Sequence, residues 1–461
     1  FIKLFYKNMH IKNINNNKKP RLFVLCFPHL GTLDNWLPVV SKVNDLQIYQ
    51  NFTLVVPNAS ILRSFHKDNA VIKISNNIFD SVLIHAYDDI WIKHKSVFDS
   101  MQWHQDNCTI LRLFDILKRL IKKRLFSYTL NWLFSLLRNK LYKKESELSI
   151  LDLNKVMSRL DILFYDIHTE SNHMATNILS LFEGNHKYSL PHALSMLDLE
   201  EKTPLLVNIK NKNNIKIYVY AKFQSKYYDS KYGIDSNKVH AVGIPRHDCN
   251  WIKKIQEKSP RLLSHFDNDN TIIVLSIQVS NAGLSFDQKV EAVKNIKKIF
   301  IERLGMKVVI KLHPNEKQER IFSNKKDKIY ESVLGLSNYG LTWIYSDLHV
   351  LALGEGKRLS ISLKTGVIFD MVAMGVPCVE YVDLSNKVES SKKHITQFVK
   401  YGFVKGVSNY NELSSYADKW LSDHHQVSTS SMNTYKKHFP IIEDISSKIA
   451  DEVAHENRVG L

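Results

Sequence analysis

The chain has 461 residues, of which 44% are hydrophobic and 11% aromatic. That is enough for two or three full cores, and it excludes a disordered chain, a collagen-like repeat and a small disulfide-held scaffold. Lys and Arg total 63 against 46 Asp and Glu, a formal net charge of +17, which attracts phosphates, nucleic acid or anionic lipid without choosing among them. The four cysteines (Cys26, Cys108, Cys249, Cys378) form no CxxC pair, a pattern that fits a reduced, cytoplasmic setting and no Cys-ligated zinc.

Residues 1–20 are rich in Lys and Asn and read as a flexible tail, with Met9 a candidate start. Their apolar opening is too short and too charged for a signal peptide. From residue 21 the pattern is strand, loop, helix. The continuous apolar run 21–27 (RLFVLCF) has the composition of a buried parallel strand, and it ends at Pro28-His29-Leu30-Gly31, a turn placed to face a ligand. His29 and Gly31 are therefore acceptor-side candidates. Further strands are expected at 53–57, 81–84, 161–165 and 215–220.

Between Asp115 and Glu145 there are nine Lys or Arg and no acid, interleaved with Leu117, Leu120, Ile121, Leu125, Phe126, Trp132 and Leu133. A basic amphipathic helix of this kind either lies on an anionic membrane surface or packs its apolar side on the core. No stretch reaches about 18 uncharged apolar residues, so a spanning helix is not expected. With neither an aromatic RNP motif nor a zinc finger in the sequence, nucleic acid is not an expected partner.

The polar stretch 258–270 reads as a linker. A second series follows: strand 271–276, helix 286–303, strand 307–312 ending in His313-Pro314, strand 341–345, helix 347–353, strand 359–363, helix 367–374 and strand 377–382. This alternation predicts two doubly wound α/β domains, spanning 21–260 (with the basic insert at about 110–145) and 265–420, followed by a helical tail at 421–461. Ligands in such a pair bind at the carboxyl ends of the strands, facing the cleft.

Three loops have the composition for chemistry there. In Gly243-Ile244-Pro245-Arg246-His247-Asp248, Arg246 is a planar cation suited to phosphate, or Asp248 is simply the N-cap of the next helix. In Lys311-Leu312-His313-Pro314, Pro314 keeps His313 extended at a strand end, where an imidazole can contact a donor phosphate or move a proton. In Ser362-Leu363-Lys364-Thr365-Gly366-Val367-Ile368-Phe369-Asp370, the amides around Thr365, Gly366 and Val367 open a helix and invite an anion, with Lys364 adding charge and Asp370 one turn on. Neither a P-loop nor a GxGxxG fingerprint is present. No metal constellation is apparent, and no cofactor is expected.

The order of these loops resembles the CDP-glycerol glycerophosphotransferases of teichoic-acid synthesis. Residues 243–248 are similar to that family's Gly-x-Pro-Arg-x-Asp element, Lys311–Pro314 to its His-Pro element, and Thr365–Asp370 to its Ser-Ser-x-x-x-Asp element. The last likeness runs on through Met374-Gly375-Val376-Pro377 and Glu380-Tyr381-Val382-Asp383-Leu384. The resemblance covers about residues 190–384. It implies a GT-B fold, two Rossmann-like domains facing a central cleft, and action on lipid-linked polymers at the cytoplasmic face of the plasma membrane. It also implies that His313 is the His-Pro histidine and that His192, in Leu190-Pro191-His192-Ala193, is the other catalytic histidine, with Ala where the family has Gly. The Ser pair falls on Thr365 and Gly366. Bacterial sialyl- and Kdo-transferases of capsule synthesis are more distantly similar, so glycerol phosphate and sugar transfer both stay open. A cytidine-nucleotide donor (CDP-glycerol or a CMP-sugar) is the shared expectation. A UDP- or GDP-sugar transferase, a nucleotide-sugar 2-epimerase of the same fold and a non-catalytic basic binding protein are the alternatives.

Overall fold

The computed structural model describes residues 20–65, 69–87, 90–122, 133, 136, 147–149, 161–171, 178–182, 185–192, 209, 214–267, 270–276, 285–313, 316, 328–381, 397–439 and 444–459. The expected tail before residue 20, most of the basic insert past residue 122, Pro314 and the stretch 382–384 lie outside the described residues.

Two sheets carry the chain. The first contains β1 (Arg21–Leu25), β2 (Asn51–Val56), β3 (Ser81–Tyr87), β4 (Ile90–His94), β5 (Glu147–Ser149), β6 (Ile162–Tyr165), β7 (Lys187–Ser189), β8 (Ile215–Val219) and β9 (Val239–Ala241). Their order is β5-β4-β3-β2-β1-β6-β7-β8-β9. All neighbours are parallel except the β3–β4 and β4–β5 pairs, which add an antiparallel edge. The second sheet holds β10 (Thr271–Leu275), β11 (Val308–Lys311), β12 (Trp343–Tyr345), β13 (Arg358–Ser362), β14 (Cys378–Tyr381) and β15 (Lys405–Val407) in the order β12-β11-β10-β13-β14-β15. Numbered within its own lobe this is 3-2-1-4-5-6, and the parallel part of the first sheet repeats it with a seventh strand, β9, added beyond β8. Each lobe therefore has a switch point, between β1 and β6 in the first and between β10 and β13 in the second, where a crevice opens at the strand ends.

The helices are α1 (Leu30–Asp45), α2 (Ala70–Ile78), α3 (Val97–Lys122), α4 (Lys222–Tyr232), α5 (Cys249–Lys258), α6 (Phe286–Ile296), α7 (Ile329–Leu334), α8 (Ile368–Ala373), α9 (Gln397–Lys400), α10 (Tyr410–Ser422), α11 (His424–His438) and α12 (Ile445–Val459). β10 and β13 are buried along their whole length; in β10 this reads as an apolar run, 272–275, whereas β13 also buries Arg358, Ser360 and Ser362. A Ser285–Gln288 capping box starts α6. A π-helical stretch, Lys297–Arg303, then carries the predicted helix to its expected end.

The predicted helix at 347–353 is corrected to a single 3-10 turn, Val350–Ala352. The His349 ring caps that turn, and Gly354 and Gly356 follow at once, leaving too few residues to propagate a helix. Asp248 is also reassigned. It makes no side-chain bond to the start of α5 and instead accepts from the Ile445 and Ser446 amides and the Ser446 hydroxyl, capping α12.

α12 does not end in the second lobe. It packs on α1, and Lys216 of β8 pairs with Glu452 and Glu456, whose carboxylates also accept from the Tyr218 and Tyr188 hydroxyls. α5 joins the lobes, packing on α2 on one side and on the Val350–Ala352 turn on the other. One apolar cluster accordingly runs from Trp36 and Phe164 through Trp251 to Phe369. Among the described residues no helix is long and apolar enough to cross a membrane.

Candidate active site

Three adjacent strands of the first lobe, β1, β6 and β7, end at the cleft, and the loop after each end carries the site. After β1, the His29 ring caps α1, its Nδ1 accepting from the Gly31 amide at 3.1 Å. Its proton therefore sits on Nε2. After β6 comes Asp166, fully buried, with His168 two residues on. After β7 comes His192, held in place by its neighbour, because the Pro191 carbonyl accepts from the Asn35 amide at 2.8 Å and from the Tyr220 hydroxyl.

Asp166 is the centre of this cluster. Its Oδ1 accepts from the His168 amide at 3.0 Å and faces the His168 Nδ1 at 2.8 Å. Its Oδ2 accepts from the His192 amide at 2.9 Å and meets the His192 Nδ1. Burial alone would push this carboxyl up, but the two imidazoles outweigh it and hold the group far below the usual carboxylate range. With both Nδ1–H groups turned to Asp166, each ring keeps an Nε2 lone pair. His192 is about a quarter exposed, and the His29 ring stands edge-on to it at 4.4 Å. Enclosure, together with the nearby His192 and His313, holds the His29 imidazole well below its ordinary value. That electrostatic contact with His313 reaches it from the other lobe, so the two lobes face each other here.

In the second lobe His313 follows β11 and the Thr365 loop follows β13. One strand, β10, lies between them, so the two strand ends are about 10 Å apart on one edge of the sheet. Burial lowers the His313 imidazole, keeping it neutral near pH 7. The Thr365 amide is already used, donating to Ser362 Oγ at 2.9 Å. Among the described residues the Gly366 and Val367 amides donate to nothing. Lys364 is held at φ 63°, a left-handed conformation that costs a non-glycine residue energy and aims the loop.

Arg246 and Asp370, expected to serve the donor, are instead joined to each other. Arg246 bonds Asp34 of α1 at 3.1 Å and Asp370 of α8 at 2.9 Å. His349 reaches the same Asp34 oxygen at 3.1 Å. His247 bridges Asp370 and the Tyr435 hydroxyl, at 2.7 Å each. Asp370 is fully buried and the Arg246 side chain is 14% exposed. This network binds the lobes together rather than offering charge to a ligand.

Asp166, His168, Asp34 and His349 escaped the sequence reading. For the first pair a signal existed, since an apolar strand ending in Asp-x-His follows the same strand-end logic that singled out His313. The cluster also changes the expectation about metals, because one ligand atom from each of Asp166, His168 and His192 lies within 4.8 Å of the others.

No protein-family model matches this sequence, and no curated protein matches it. Solved structures are similar in fold. The wall teichoic acid polymerase TagF superposes with a TM-score of 0.54 at 10% identity, covering 96% of this chain and 90% of that one. S. aureus MnaA with UDP gives 0.54 at 11% identity, covering 95% and 97%. A candidate UDP-N-acetylglucosamine 2-epimerase from Listeria monocytogenes gives 0.50 at 12% identity, covering 93% and 94%. At such identities the likeness concerns architecture, and it agrees with two parallel-sheet lobes closing on a cleft: this chain has the GT-B fold.

Proposed function

We propose that this protein is a transferase of cell-surface polymer synthesis that moves glycerol phosphate or a sugar from a cytidine-nucleotide donor to a hydroxyl of a lipid-linked acceptor. The observation that carries this reading is the Asp166–His192 pair at the strand ends of the first lobe, with the His29 ring beside it and His313 of the other lobe within electrostatic reach of His29. Asp166 fixes the His192 tautomer, leaving Nε2 to take the acceptor hydroxyl's proton as general base. His29 and Gly31 line the acceptor side. In the other lobe His313 presents its N–H to the donor phosphate, and the Gly366 and Val367 amides and Lys364 meet the charge that grows on the departing group. No metal or cofactor enters this step. TagF has been solved after soaking with CDPG, and MnaA with UDP, which supports a nucleotide donor in a cleft of this architecture.

The acceptor's lipid gives the basic segment a role. Leu113 and Ile116 of α3 are 43% and 52% exposed, and Leu133 and Leu136 are also exposed, beside and within the stretch of nine cations and no acid. Exposed aliphatic residues among cations suit the anionic inner face of a plasma membrane.

The test is a thermal-shift panel of CDP-glycerol, CMP-sugars, UDP-sugars and GDP-sugars on the purified protein. A ligand at 100 times its Kd adds about 2.7 kcal/mol of stability. A shift with the cytidine nucleotides is expected, together with loss of turnover in His313→Ala at unchanged fold. A preference for UDP-sugars points instead to a UDP-sugar transferase or the epimerase reaction, and an active His313→Ala variant refutes the assignment.

A further inference from the structure

We propose that Asp166, His168 and His192 form a binding site for a zinc-class divalent cation, which switches off the base of the transfer reaction when it binds. The site rests on geometry. One ligand atom from each of the three residues lies within 4.8 Å of the others, and both Nδ1 atoms already meet the Asp166 carboxylate, that of His168 at Oδ1 and that of His192 at Oδ2, a mixed nitrogen and oxygen donor set of the kind that zinc and its neighbours take. Ligands of one tetrahedral ion at about 2.1 Å lie about 3.4 Å apart, so the widest separation in the cluster has to close by up to about 1.4 Å, within the reach of small rotations of two partly exposed rings. Each carboxylate oxygen is already fixed by a backbone amide, that of His168 on Oδ1 and that of His192 on Oδ2. Those bonds persist when an ion replaces the imidazole protons, and they supply the outer-shell orientation that metal-binding carboxylates need. Both rings are about a quarter exposed, so an ion can enter from the cleft.

The consequence for the base follows from proton bookkeeping and rests on the function proposed above. In the neutral ring Nδ1 carries the proton and Nε2 the lone pair. When an ion binds Nδ1, that atom gives its electron pair to the metal and the ring's single proton moves to Nε2. No proton leaves the ring, but the atom that would accept the hydroxyl's proton has become a donor. The ion therefore inhibits without touching the donor-phosphate side of the cleft.

Cobalt(II) is the probe, added to full-length protein stripped with EDTA and desalted. One equivalent is expected to give visible d–d absorption that zinc abolishes. His168→Gln, which keeps a side-chain hydrogen bond to Asp166 but is a poor ligand, and Asp166→Asn are expected to weaken cobalt binding by more than about 10-fold. Cys249→Ser, at an exposed thiol, is expected to leave the spectrum unchanged. Absence of d–d bands at one equivalent, or equal affinity in wild type and both site variants, overturns the proposal. Turnover is read separately: zinc lowers it and EDTA restores it. A cobalt spectrum that depends on the site but comes without inhibition upholds the cation site and overturns the assignment of His192 as base.

Discussion

Replacing Arg246 by Ala separates an interlobe clamp from a donor-binding residue. The side chain lies between Asp34 and Asp370, and its removal strands two carboxylates that are almost completely buried. Deleting one partner of a buried ion pair costs about 3–5 kcal/mol, because the charge left behind has no water to solvate it. His349 and His247 remain beside the two acids, so the lower figure, about 3 kcal/mol, is expected. At about 2 cal/mol/K per residue, the 461-residue chain has an unfolding entropy of about 1 kcal/mol/K, and the loss appears as a drop in Tm of about 3 °C in calorimetry. The pH dependence gives a second readout. Burial pushes the Asp34 carboxyl up, but His349 and Arg246 outweigh it and hold it at about 2, below its ordinary 3.8. Its contribution is therefore complete above pH 3.8 and fades as pH falls toward 2. The gap between those two values is worth about 2 kcal/mol, since a tenfold change in proton affinity is about 1.4 kcal/mol. The Arg246→Ala variant loses the Arg246 share of that acid dependence and keeps the larger share from His349. A Tm within about 0.5 °C of wild type, with only the nucleotide-induced stabilisation lost, would refute the clamp and return Arg246 to the donor.

Three further outcomes are expected. Asp166→Asn keeps the shape but cannot accept from both imidazoles, so kcat falls by about 10²–10⁴ while circular dichroism stays native; a loss under about threefold would count against His192 as base. Lys364→Gly relieves the left-handed backbone at φ 63° and raises stability by up to about 1 kcal/mol, while nucleotide-induced stabilisation falls; an unchanged ligand response would remove Lys364 from the donor site. Asp248→Ala uncaps α12 and costs about 1–2 kcal/mol in denaturant melts. Burial pushes the Asp248 carboxyl up to about 6, so the group's electrostatic share of stability is greatest in acid and is lost as pH rises through 6. A flat difference between wild type and variant from about pH 4 to 7 would contradict that.

The buried parallel strands β1 and β10 were legible because burial on both faces writes itself as apolar runs, 22–25 and 272–275. Strands that tertiary context alone makes were not. β7 contains Lys187, buried at 3% exposure, and β9 has only three residues, so neither carries a pattern. β4 joins antiparallel, a direction that side-chain alternation cannot encode. In the site, His313 and the Thr365 loop announced themselves as strand ends followed by Pro or Gly. Asp34 sits inside an otherwise buried helix, and its partner Arg246 is 212 residues away, a pairing that local spacing cannot reveal. The same distance explains why Arg246 read as a free cation.

α12 lies against α1 and β8 although more than two hundred residues separate it from either. During vectorial synthesis the first lobe must therefore wait, with one flank bare, until residue 459 has left the ribosome. A lobe made well before α12 is thus finished only after it.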